Sequence, residues 1–183
     1  MRKDEFFEAV VEYKAAVEAD PDDLYAVINR GLAWLNLEDF EMALDDFETA
    51  IEIDPQCWFA WMSRGYTRES LGRMAESLDD FKTALSILGD SRPPERHQIL
   101  LGYTRCLIAL NRIDEALSFA DEAVRNESDR PEGYDLRGRC RMERCLNEDA
   151  VADFTTAMRL GQRTENVLQC RAYAYAKIGR HAE

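Results

Sequence analysis

One spacing limits what this chain can fold into. Ala9, Tyr13, Ala16 and Pro21 return 34 residues later as Ala43, Phe47, Ala50 and Pro55. Another 34 residues bring Ser77, Phe81, Ala84 and Gly89, and a step of 39 brings Ala116, Ala120, Ala123 and Ser128. A last step of 34 gives Ala150, Phe154, Ala157 and Gln162. A second set recurs upstream in each unit as Arg30-Gly31, Arg64-Gly65, Tyr103-Thr104, Arg137-Gly138 and Arg171-Ala172. Chance does not align a small–aromatic–small triplet four or five times. A period of this length marks a repeat architecture, in which each unit buries its apolar face only against its neighbours.

The unit is helical. Phe40, Leu44, Phe47 and Ile51 lie three and four apart, on one face of an amphipathic helix. A glycine inside a helix costs about 1 kcal/mol against alanine. Gly31, Gly65 and Gly138 therefore imply close helix–helix approach, with Ala43, Ser77 and Ala150 as facing small residues and Phe47, Phe81 and Phe154 as wedges. Pro21 and Pro55 end second helices, because the residue before a proline is pushed out of the α region.

This pattern resembles the tetratricopeptide repeat, a 34-residue helix–turn–helix unit. Its signature is a small residue in the first helix, then alanine, aromatic, alanine and proline through the second. The resemblance covers essentially the whole chain. It is strongest over 24–57 and 58–91 and weakest over 97–130, where Thr104 and Ala120 replace the glycine and the aromatic. The implied fold is all-α: a right-handed α-solenoid of stacked antiparallel helix pairs, about ten helices in a single array over 1–183. The divisions are a half repeat at 1–23 (second helix, about 4–19), repeats at 24–57 and 58–91, and an insertion at 92–96 holding Pro93-Pro94. Repeats at 97–130 and 131–164 follow, then a half repeat at 165–183 (first helix, about 165–179). Both ends divide a repeat, so a segment of a longer array is expected, or else ends that pack on another chain. The closing helix should leave Leu168, Ala172 and Tyr175 partly bare.

The family's usual leucine before the glycine is mostly arginine here. Arg30, Arg64 and Arg137 each occur in a unit with an aspartate before the second-helix aromatic: Asp46, Asp80 and Asp153. The unit with Tyr103 instead carries Phe119. Presence and absence match in all four complete units, which predicts within-repeat pairs Arg30–Asp46, Arg64–Asp80 and Arg137–Asp153, with Tyr103–Phe119 in their place. An Arg–carboxylate fork is directional and sets register more than stability. The competing reading is an arginine ladder for an anionic ligand.

The resemblance also implies a concave groove lined by first helices that meets a peptide or partner surface. By position it carries Tyr25, Ile28, Asn29 and Leu32, then Phe59, Met62, Ser63 and Tyr66. Beyond the insertion come Gln98, Leu101, Gly102 and Arg105, then Glu132, Asp135, Leu136 and Arg139. The first two sets are apolar and aromatic, suited to anchoring a partner. One family subtype clamps two carboxylates with lysine, asparagine and arginine. Asn29 fits it, but Tyr25, Phe59 and Gln98 stand where the lysine should, and Gly102 where the arginine should.

Composition removes other classes. The net charge is −13, and the first 91 residues hold 8 of the 23 Lys+Arg and 21 of the 36 Asp+Glu, so the whole imbalance lies there. That sign is wrong for nucleic acid, and no apolar run is long enough for a membrane. His97 and His181 form no acid–base pair, and no nucleotide, metalloprotease or hydrolase motif occurs. The five cysteines fit no common zinc spacing; Cys106 and Cys140 take a repeat position held by Ala33, Thr67 and Ala174. An odd cysteine number and the absence of an apolar leader after Met1 point to a cytoplasmic location. The expectation is a non-enzymatic protein-interaction scaffold without metal or cofactor, meeting a basic protein or peptide. The alternatives are head-to-tail self-assembly through open ends and a regulatory segment of a larger protein.

Overall fold

The computed structural model describes residues 3–89 and 94–179. Residues 92 and 93 of the expected insertion, and His181, lie outside them. The described residues form ten α-helices and no strand. The chain divides into two compact units, Met1–Asp90 and Ser91–Glu183. The first contains α1 (Lys3–Ala19), α2 (Leu24–Asn36), α3 (Phe40–Ile53), α4 (Trp58–Ser70) and α5 (Met74–Leu88). The second contains α6 (Pro94–Ala109), α7 (Ile113–Asn126), α8 (Pro131–Glu143), α9 (Asn147–Arg159) and α10 (Glu165–Lys177). In each unit every helix packs on the next, and first helices also touch: α2 on α4, then α6 on α8 and α8 on α10. Pro94, Glu95 and Arg96 of the insertion are helical, forming the opening turn of α6. A proline there loses no hydrogen bond, since first-turn amides have no partner within the helix.

The turn between first and second helix is built the same way each time. Glu38, Gly72, Asn111 and Cys145 occupy one repeat position and all have left-handed backbone, with φ of 64°, 74°, 59° and 59°. The next amide reaches back to a carbonyl of the finished helix: Asp39 to Trp34 at 3.0 Å, Arg73 to Arg68, Arg112 to Leu107 and Leu146 to Arg141, the last three at 2.8 Å. This closure satisfies carbonyls that the helix end leaves open. Gly72 and Asn111 suit that geometry whereas Glu38 and Cys145 do not, so the sequence disclosed the motif at only two of the four turns. At the start of α2 the Asp23 carboxylate accepts from the amides of Tyr25 (3.0 Å) and Ala26 (3.1 Å).

The glycines sit where rings need the room. A Cβ built on Gly31 would lie 2.8 Å from Phe47 Cε1, one on Gly138 2.8 Å from Phe154 Cε1, and one on Gly65 3.1 Å from Phe81. All three rings are fully buried. Ser77 also faces its glycine, its hydroxyl donating to the Gly65 carbonyl at 2.7 Å. In the divergent repeat the volumes are exchanged: Thr104 replaces glycine, Ala120 replaces the aromatic, and both are buried. Phe154 reaches the following helix as well, packing with Val167 and Ala174 of α10.

Candidate functional site

The first-helix residues expected to face a partner are presented unequally. In the first unit, Tyr25 at the start of α2 is 71% exposed, and its ring meets Tyr13 of α1 edge-on with centroids 6.5 Å apart. Ile28 is half-buried against the core of Val27, Ala50, Ile51 and Ala60. Leu32, Phe59 and Met62 are also half-buried. The Asn29 amide nitrogen donates to the Tyr25 carbonyl at 2.7 Å, leaving its oxygen as the group able to meet a ligand donor. Tyr66 stands edge-on to Phe81 at 4.9 Å, so it is partly a core residue. Ser63 requires a correction. It is 2% exposed, because α4 packs on both α2 and α3 and a small side chain there is covered.

In the second unit several of the same positions are polar, and two of them are already engaged with each other. Arg139 forks onto Asp135 of its own helix, Nε to Oδ1 and Nη2 to Oδ2 both at 3.0 Å, while Gln162 approaches the same carboxylate at 3.4 Å. Arg105 is half-buried. Asp135, Leu136, Leu101 and Gly102 are buried.

The arginines before the glycines lie on the aspartates of their own repeats. Arg30 Nη2 donates to Asp46 Oδ1 at 2.6 Å and its Nε to Oδ2 at 3.0 Å. Arg64 reaches Asp80 at 2.7 Å, and Arg137 reaches Asp153 at 2.6 Å. The three aspartates are at most 4% exposed. Hydrogen bonding to Asp46 holds the Arg30 guanidinium above its ordinary pKa. Tyr103 and Phe119 meet edge-on at 4.6 Å. These guanidinium groups are therefore occupied, which argues against a ladder for an anionic ligand.

Two extensions of this network were not foreseen. Arg68 and Arg141, one helical turn beyond Arg64 and Arg137, each donate one further hydrogen bond, to Asp80 at 2.7 Å and to Asp153 at 2.6 Å. Acidic residues of the preceding repeat also join: Glu48 lies 3.8 Å from Arg64 and Asp121 lies 3.1 Å from Arg137. A signal existed, because Glu48–Arg64 and Asp121–Arg137 have the same 16-residue separation as the pairs within repeats. Arg64 further stacks on Trp61 at 4.7 Å and Arg137 over Tyr134 at 5.3 Å. Those rings are themselves anchored, Trp61 Nε1 to the Pro55 carbonyl at 3.0 Å and the Tyr134 hydroxyl to the Ser128 carbonyl at 3.2 Å.

Cys106 and Cys140 are buried, and burial pushes the Cys140 thiol up to about 12. Cys145 is exposed on a helix–helix turn. Among the described residues no group of three or more His, Cys, Asp or Glu is arranged to hold a metal ion. No helix there is long and apolar enough to cross a membrane.

Two family models described as tetratricopeptide repeat match residues 25–57 and 70–140, together more than half of the chain. No curated protein matches the sequence. Among solved structures, the chain is similar to PilF of Pseudomonas aeruginosa, at 14% identity and a TM-score of 0.84 over 96% of this chain and 78% of that one. It is similar to PilW, described as a type IV pilus biogenesis factor, at 19% identity and 0.83 over 96% and 80%. A third is YrrB, described as a protein of this repeat class with an unusual peptide-binding site, at 18% identity and 0.75 over 91% and 84%. Identities this low establish the shared fold and nothing finer.

Proposed function

On the premise that the chain belongs to the tetratricopeptide repeat family, we propose that it is a non-enzymatic interaction scaffold whose first unit takes up an extended or helical partner segment. Tyr25, Ile28, Leu32, Phe59 and Met62 supply the apolar contacts, Asn29 a hydrogen-bond acceptor, and Tyr66 a wall fixed by Phe81. The observation that carries this reading is Tyr25, a large aromatic left 71% exposed among half-buried apolar neighbours on α2. Aromatic side chains held by a rigid scaffold lose little entropy on binding, so their burial is retained as affinity. The acidic first half favours a segment with basic flanks, drawn in most strongly at low salt. Arg105 and Arg139 are secondary contacts in the second unit, since Arg139 is already neutralised by Asp135. The match over 70–140 runs through residue 90, which supports reading 1–183 as one array. Five cysteines without a pairing pattern fit the reducing cytoplasm.

The test is a panel of peptides with an aromatic or aliphatic core and either basic or acidic flanks, titrated by fluorescence anisotropy. Basic-flanked peptides should bind, with affinity falling as salt rises. Tyr25→Ala combined with Phe59→Ala should weaken binding at least tenfold at unchanged helicity. Undiminished binding by that variant would remove the site from this face, and preference for acidic flanks would remove the charge argument.

A further inference from the structure

We infer that α2 is the adjustable wall of the first unit's groove: it opens from α3 while α4 stays fixed on α5. The two helix pairs share one design, so they can be compared position by position, and at several positions the α2–α3 pair is held by less. Asp46 accepts hydrogen bonds from Arg30 alone among the described residues, whereas Asp80 is held by both Arg64 and Arg68. The residue in Arg68's place on α2 is Trp34. Its indole supplies no replacement for the missing bond, and Nε1 is buried without an acceptor. An unpaired buried donor weakens the packed state, because opening returns it to water. Burial raises the Asp46 carboxyl above its ordinary pKa in spite of Arg30, so one guanidinium does not fully offset the loss of hydration.

Three further differences point the same way. Glu48 lies 3.8 Å from Arg64, but the corresponding residue on α1 is Lys14, which is turned toward Glu18. Ser77 ties α5 to the Gly65 carbonyl at 2.7 Å, and Ala43 in its place on α3 has no hydroxyl to do so. The turn leaving α4 puts Gly72 at φ 74°, which glycine adopts freely, while the turn leaving α2 forces Glu38 to φ 64°. Opening of α2 relieves that strain at the point about which the helix swings.

The consequence rests on the groove reading proposed above. Tyr25, Ile28, Asn29 and Leu32 ride on α2, whereas Phe59, Met62 and Tyr66 belong to α4, with Tyr66 fixed by Phe81. A groove with one movable and one fixed wall fits apolar side chains of different bulk, and its occupant closes it by holding α2 in place.

Hydrogen–deuterium exchange of the free full chain tests the inference, read as protection factors of the interior amides of α2 and α4. Protection in α2 should be at least about tenfold lower than in α4, the factor that one charge-assisted hydrogen bond confers. Trp34→Arg and Trp34→Met both remove the ring, but only the arginine reaches Asp46. Helix α2 should therefore be about tenfold better protected in the first variant than in the second. Arg68→Met leaves Asp80 with Arg64 alone and should lower α4 protection about tenfold, toward the level of α2. Equal protection of α2 and α4 in the parent chain overturns the inference. So does equal protection in the two Trp34 variants, or an Arg68→Met chain whose α4 keeps parental protection. No peptide enters these measurements, so their failure leaves the groove reading intact, and failure of the peptide titration leaves the difference between α2 and α4 intact.

Discussion

The exchange of volumes between repeats makes a sharp prediction. In α2 and α3 the interface is Arg30-Gly31 against Asp46-Phe47; in α6 and α7 it is Tyr103-Thr104 against Phe119-Ala120. Changing only the first-helix half, Arg30→Tyr with Gly31→Thr, does two kinds of damage. Asp46, 4% exposed, loses the guanidinium that holds it at 2.6 Å. Removing one partner of a buried ion pair costs about 3–5 kcal/mol. The new Cβ would stand 2.8 Å from Phe47 Cε1, a ring with no exposed surface and no room to retreat. Overpacking of that kind adds about 1–3 kcal/mol, reduced by up to ~1 kcal/mol for removing a helical glycine. The net loss, about 3–7 kcal/mol, is comparable to the total stability of a small domain. Adding Asp46→Phe and Phe47→Ala completes the alternative arrangement, removes the stranded charge, empties the space that the new side chain needs, and should recover about 3 kcal/mol or more. Urea unfolding followed by helicity measures both variants, compared at the midpoint of the first transition because repeat arrays need not unfold in one step. If the four-residue exchange is no more stable than the two-residue half, the two halves are not coupled and the packing argument fails.

Three further outcomes follow from the local geometry. Glu38→Gly should raise stability by about 1 kcal/mol, since a left-handed backbone at φ 64° strains a residue with a Cβ; no gain in urea midpoint would contradict the turn assignment. Asp23→Ala should cost about 1 kcal/mol by removing the carboxylate that caps the first amides of α2, with Asp22→Ala, at an exposed neighbouring site, as the control. A thiol reagent at mild alkaline pH should modify Cys145 first, and Cys106 and Cys140 only with unfolding; early loss of the Cys140 thiol, held near 12 by burial, would mean that α8 opens readily.

The repeat period, the helix count and the three arginine–aspartate pairs could be read before any coordinates, each for a local reason. A 34-residue period leaves apolar residues on fixed faces, and a charged position that varies in step with another across four units limits the number of arrangements. The paired substitution of Tyr103 and Phe119 mattered most, because it showed two positions changing together. Ser63 was misplaced because α4 packs on both α2 and α3, so that a small side chain at that position is covered. The left-handed turn position escaped notice because glutamate and cysteine fill it as well as glycine and asparagine, and neither of those two announces positive φ.

What the sequence determined by itself was periodicity: which residues repeat, which faces are apolar, and where the acidic charge is concentrated. Tertiary structure decided which of those residues remain available. Arg139 and the three repeat arginines are charged in the sequence but neutralised by carboxylates within reach, while Tyr25 stays 71% exposed. The physical reason is that a helix has several faces and neighbours cover only some of them. Availability depends on side-chain distances of a few ångströms, which no linear spacing encodes.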